Sequence, residues 1–169
     1  MTYHPSYPSL TGYTNWIDYA LAENPDTRIF VAIPWLTNPG SNSATDYNTI
    51  WNAAHVTLGH SMIDDLRNLY PAVDIYEIPY GQAAGELYTL YAAGQLPDVD
   101  QLSGSGDSIF SDSFGHANDI LEDLAELIWL RAIYDVDLST YAFNPGYTTD
   151  LKAIADAVMD AHDPAYDAP

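Results

Sequence analysis

The segment RIFVAIPW, residues 28–35, constrains the fold more than any other stretch of this chain. After Arg28 it is an unbroken apolar, β-branched and aromatic run, with no alternation that would give one face to water. A strand of that kind is covered on both faces, which is the habit of parallel sheets in α/β proteins.

The neighbouring segments supply the cover. TGYTNWIDYALAEN places Trp16, Ile17, Tyr19, Ala20 and Leu21 at helical spacing and stops before an NPDT turn. From Tyr47 to Leu69, Ile50, Trp51, Ala54, His55, Leu58, Met62, Leu66 and Leu69 recur at three- and four-residue steps, which predicts one long amphipathic helix. AVDIYEIPYG alternates and ends in Pro-Tyr-Gly, a second strand, and AAGELYTLYAAGQLP then reads as a helix closed by Gly94 and Pro97. After a polar loop, ANDILEDLAELIWLRAIYD carries acids in its early turns, where the helix dipole favours them, and TTDLKAIADAVMDAH forms a last amphipathic helix. Alternation of this kind predicts an α/β layer fold, with parallel strands joined by right-handed crossovers. Residues 1–169 are expected to form a single domain, with 163–169 as a polar tail. Two strands are few for such a sheet, and neighbours are expected on their flanks.

Charge excludes several functions. The chain has 24 acidic and 4 basic residues, a net charge of −20, and such a surface repels phosphate backbones. Nucleic acid is therefore not an expected partner. An aromatic share of 13%, including 14 Tyr and 4 Trp, separates the chain from disordered acidic sequences. So acidic a surface suits a marine or halophilic setting, where salt screens self-repulsion. There is no cysteine, hence no disulfide and no thiolate metal site. No apolar run reaches the ~20 residues of a membrane span, and the opening MTYHPSYPSL has neither half of a signal peptide, which leaves the compartment undefined.

The loop GSGDSIFSDSFGHAND, residues 104–119, carries the candidate chemistry. Gly106-Asp107-Ser108 imitates a nucleophile motif but lacks the strand before it and the helix after it that expose such a serine. Asp112 and His116 are the second candidate, because a general-base histidine needs a carboxylate on its far nitrogen to fix the tautomer. The competing reading makes Asp112 or Asp119 a helix cap and His116 an ordinary loop residue. Ser61, in VTLGHSMI, is an alternative nucleophile beside Ser108, but lies within the long helix, where a hydroxyl back-bonds to a carbonyl. His55 and His60 are five apart and miss the i, i+4 spacing of a helical zinc motif. Asp98, Asp100 and Asp107 depart from the calcium-loop spacing and read as a solvated acidic loop.

The succession NPDTRIFVAIPW, LRNLYPAVDIYEIPYG, LYTLYAAGQLPD, IFSDSFGHAN and LAELIWLRAIYD resembles the later part of the SGNH (GDSL-type) hydrolases, over roughly residues 12–134. In that family the catalytic Asp and His share a late loop before the last long helix. The resemblance implies a three-layer, parallel-sheet, flavodoxin-like fold lacking its first strands, with Asp112 as the orienting acid and His116 as the base. It implies hydrolysis of esters or acetyl esters, including acetylated carbohydrates, with no metal or organic cofactor. The family separates the pair by two residues and this chain by three. Its Gly-Asp-Ser, oxyanion Gly and Asn blocks are not found before Arg28, so the serine would come from another segment and the chain alone would be inactive. The alternative is a non-catalytic module for a carbohydrate or protein partner. In either case an unpaired strand flank favours a homo-oligomer or a partner chain.

Overall fold

A computed structural model of the protein describes residues 9–169. The opening MTYHPSYP, with its reading as free of a leader, lies outside the described residues. The fold is mixed α/β and about half helical, with two small parallel two-stranded sheets.

The two expected strands are β1 (Ile29–Ala32) and β2 (Ile75–Ile78), paired in parallel with Ile29 opposite Ile75 and Ala32 opposite Ile78. Each face of the pair is covered, as the sequence requires. Ile29, Val31, Ile33 and Ile75 pack with Ile17 of α1 (Thr11–Glu23) and with Met62, Ile63 and Leu66 of α3 (Ser61–Leu69). Ala32 and Ile78 belong to a second cluster, with Leu87 of α4 (Gln82–Ala92) and Leu121, Leu124 and Ile128 of α5 (Asp119–Tyr134). Each such aliphatic side chain contributes about 1.5–3 kcal/mol by leaving water. The last helix, α6 (Leu151–Ala161), packs on α5 and starts where the Asp150 carboxylate accepts the Ala153 N–H.

The long helix expected over 47–69 is interrupted. α2 (Ala44–Ala54) begins with Ser43 accepting the Asp46 N–H, and α3 continues to Leu69, but between them His55–His60 form a π-turn. One extra residue per turn leaves the apolar stripe on one side and brings residues five apart onto one face.

The polar loop also holds structure of its own: β3 (Gln101–Ser103) and β4 (Ser108–Phe110) pair in parallel. Parallel strands normally need about a dozen connecting residues; here Gly104 and Gly106, at φ +145° and +132°, make the short return. No helix among the described residues is long and apolar enough to cross a membrane.

The outer side of β2, expected as an unpaired flank, is covered. The Glu77 N–H donates to the Tyr166 carbonyl at 2.9 Å. Two guanidinium nitrogens of Arg67 donate to the Ile75 carbonyl at 2.9 and 2.7 Å, and a third to the Ala165 carbonyl at 3.0 Å. Ala165 and Tyr166, within the segment expected as a polar tail, thus lie at the edge of β2. The other basic groups are engaged as well: Arg28 over the Phe30 ring, Arg131 beside Asp135 and Asp156, and Lys152 on the Tyr141 carbonyl.

Candidate functional site

The carboxyl ends of parallel strands are where α/β folds place ligands. Here β1 runs into Pro34-Trp35-Leu36, which α2 braces through Trp51 Nε1 donating to the Pro34 carbonyl (2.9 Å) and Tyr47 Oη to the Leu36 carbonyl (3.0 Å). The turn after β2 approaches closely: a Cβ on Gly81 would stand 2.4 Å from the Pro34 carbonyl group, so only glycine fits. Between these segments opens a cavity of about 730 Å³, bordered by Trp35, Trp51, His55, Tyr80, His116 and Glu122.

Residues 111–116 form a closed loop at its mouth. Ser111 N–H donates to the His116 carbonyl at 2.9 Å, and the Asn38 N–H holds the Phe114 carbonyl at 2.9 Å. Asp112 organises the interior of the loop: its Oδ1 accepts the N–H groups of Phe114, Gly115 and His116 at 2.9, 3.1 and 3.3 Å. Its Oδ2 lies 2.5 Å from His116 Nδ1. Gly115, at φ +100°, lies tight against Pro39 and Leu36. The His116 imidazole beside Asp112, helped by the backbone N–H groups of His116 and Gly115, holds the Asp112 carboxyl below the usual carboxylate range. His116 is therefore held by its Nδ1, leaving Nε2 for proton transfer, with 76% of the side chain exposed.

The candidate serines lie elsewhere. Ser108 is 2% exposed, and its hydroxyl lies 2.8 Å from each of the Gly104 and Phe110 carbonyls while accepting from Asn118 Nδ2 at 3.0 Å. Such a hydroxyl is a structural member of the loop. Ser61 is an exposed residue at the start of α3. Among the described residues neither hydroxyl is hydrogen-bonded to His116. Asp98 accepts from the Thr148 and Thr149 N–H groups and the Thr149 hydroxyl, so it anchors the segment ahead of α6. Asp100 and Asp107 meet through backbone, the Asp100 N–H donating to the Asp107 carbonyl at 2.9 Å.

A second constellation was not anticipated. His55 and His60 of the π-turn, Glu77 of β2 and His162 after α6 converge, each offering a ligand atom within 4.8 Å of the others. Burial pushes the Glu77 carboxyl up, and hydrogen bonds from His162 and His55 more than reverse this, holding it below its ordinary value. Burial lowers His60. Burial also opposes charge on His162, but the Asp167 and Glu77 carboxylates push its imidazole up to about 9.

No protein-family model, curated protein or solved structure matches the chain.

Proposed function

We propose that this chain carries the base and orienting acid of an SGNH-like serine hydrolase acting on esters or acetyl esters, on a three-layer, flavodoxin-like parallel-sheet scaffold. The observation that carries the reading is the Asp112–His116 pair, 2.5 Å apart, at the mouth of the cavity at the ends of β1 and β2. In the proposed reaction the Asp112 carboxylate accepts a hydrogen bond from Nδ1–H and fixes the tautomer, so that His116 Nε2 removes a proton from a serine hydroxyl. The serine oxygen bonds to the ester carbonyl carbon, and the imidazolium returns the proton to the departing alcohol. Water, deprotonated by the same nitrogen, then bonds to the acyl carbon, the carbon–serine oxygen bond breaks to release the acid, and the imidazolium returns its proton to the serine oxygen. The serine comes from a separate Gly-Asp-Ser-bearing segment, since Ser108 is committed to its own loop.

The wall beside the pair favours a carbohydrate portion in the substrate. Trp35, Tyr80 and Trp129 form a cluster of tilted rings, with centroids 5.2 and 5.8 Å apart, and Glu122 stands beside it. Aromatic faces with polar neighbours suit sugar rings. The same surface favours, as a second reading, a carbohydrate-binding module without turnover.

Labelling with a fluorophosphonate probe tests the proposal. The chain alone is expected to stay unlabelled, and to label when a Gly-Asp-Ser-bearing strand segment of an SGNH hydrolase is co-expressed. His116→Ala then abolishes labelling, and Asp112→Asn slows turnover by about 10⁴-fold. Restored labelling that ignores both substitutions removes the assignment. Binding of an acetylated sugar polymer with no labelling under any condition favours the module.

A further inference from the structure

We infer that His55, His60, Glu77 and His162 form a binding site for one divalent first-row transition-metal ion of the zinc type, independent of the hydrolase reading. Three imidazoles and one carboxylate are a nitrogen-rich donor set of the sort zinc takes, whereas calcium and magnesium require oxygen.

Two of the three closest donor pairs have the spacing of ligands around a small ion, and the third, His55 with Glu77, opens when an ion enters between them. Tetrahedral ligands at zinc's usual bond lengths stand about 3.4 Å from one another. His162 Nε2 lies 3.4 Å from Glu77 Oε1, and His60 Nε2 lies 3.7 Å from Glu77 Oε2. His55 Nε2 makes a closer contact with Glu77 Oε1. All four side chains are withdrawn from water: 9% exposed for His55, 12% for His60, 2% for His162 and 0% for Glu77.

Two further observations point to a ligand. Glu77 Oε2 and His60 Nε2 are buried without a hydrogen-bond partner, an arrangement that is costly unless something satisfies them. A cation between them satisfies both at once. The outer contacts are also those of a metal site. His162 Nδ1 lies 2.5 Å from the Asp167 carboxylate, an arrangement that turns the lone pair of Nε2 toward the cluster. Tyr166 stacks on the His60 ring at 3.8 Å and its hydroxyl donates to Asp64, fixing that ring from outside.

The π-turn explains why histidines five apart can serve together. It brings the two rings to a centroid distance of 4.7 Å. Four protein ligands from three separate parts of the chain close the coordination sphere, so the ion's work is structural: it ties the residues after α6 to β2 and to the π-turn.

The test is zinc titration of the chelator-stripped chain by calorimetry, with cobalt(II) absorption as the geometric readout. One equivalent per chain is expected, with intense visible bands of tetrahedral cobalt and a melting temperature that rises on zinc addition. Glu77→Gln and His60→Gln should each weaken zinc at least tenfold. Asp167→Asn, at a partly exposed carboxylate, should weaken it about 10–100-fold. Asp167→Asn also serves if the buried substitutions do not fold. Failure to saturate near one equivalent overturns the proposal. So does an affinity that is unchanged in these variants, which would assign binding to the acidic surface.

Discussion

The Trp35 indole N–H donates to the Gly115 carbonyl at 2.8 Å, across 80 residues of sequence. The bond fastens the loop of the Asp112–His116 pair to the segment that leaves β1. A loop of six residues is thereby held at two points by one segment, since Asn38 donates to the next carbonyl back, that of Phe114.

Trp35→Phe keeps a ring against Tyr80 but removes that donor. It should cost about 0.5–1.5 kcal/mol in chemical denaturation, and the Gly115 amide should exchange faster. If stability and the His116 ring-nitrogen shifts both match the parent protein, Trp35 does not position the loop.

Asp98 gives a pH dependence that can be isolated. Burial raises its carboxyl, but hydrogen bonds from Thr149 and Thr148 outweigh it, so the folded value lies below the ordinary one. A depressed carboxylate contributes stability fully above its unfolded value and loses it as pH falls through the folded value. Tyr147, Asp119 and Asp123 surround this segment, and Asp98→Asn leaves them in place. The substitution should cost about 1 kcal/mol at neutral pH and nothing at pH low enough to protonate Asp98. Equal cost at both pH values would refute the argument.

Salt should stabilise the fold. The four basic side chains are engaged with carbonyls, a ring or neighbouring acids, so they leave the remaining carboxylates to repel one another. Added NaCl shortens the reach of that repulsion to about 10 Å at 0.1 M and about 3 Å at 1 M. The melting temperature should therefore climb with NaCl, in line with the proposed saline origin. A flat profile from low to high salt would exclude it.

Much of the architecture was legible because burial leaves a periodic mark. The unbroken run at 29–33 announced a strand with two covered faces, and the apolar spacings at 11–23, 119–134 and 151–161 announced helices. Asp112 and His116 were legible as a pair because they sit close in sequence, although nothing in the sequence specified that the Asp112 carboxylate would also gather three backbone N–H groups of the loop. The histidine cluster was not legible by the same means. An i, i+4 template assumes an unbroken α-helix, and the π-turn changes the residues that share a face. Two local signs were present: Gly59 between the histidines, where a Cβ would stand 3.3 Å from Ile33 and 3.4 Å from His55, and Glu77, a carboxylate in a strand otherwise fit for burial. His162 gave no sign, because its approach depends on how α6 packs on α5.

The cover on β2 has a consequence in time. Arg67 and Ala165 meet across 98 residues. At equilibrium so long a closure is cheap, each doubling of length adding only about 0.6 kcal/mol. In refolding it is a delay, because β1 and β2 can pair well before the far segment docks. Throughout that interval the Glu77 N–H, which Tyr166 has yet to cover, is open to any other chain. The recovery of native protein from denaturant is thus set by a race between docking and collision, and dilution favours docking.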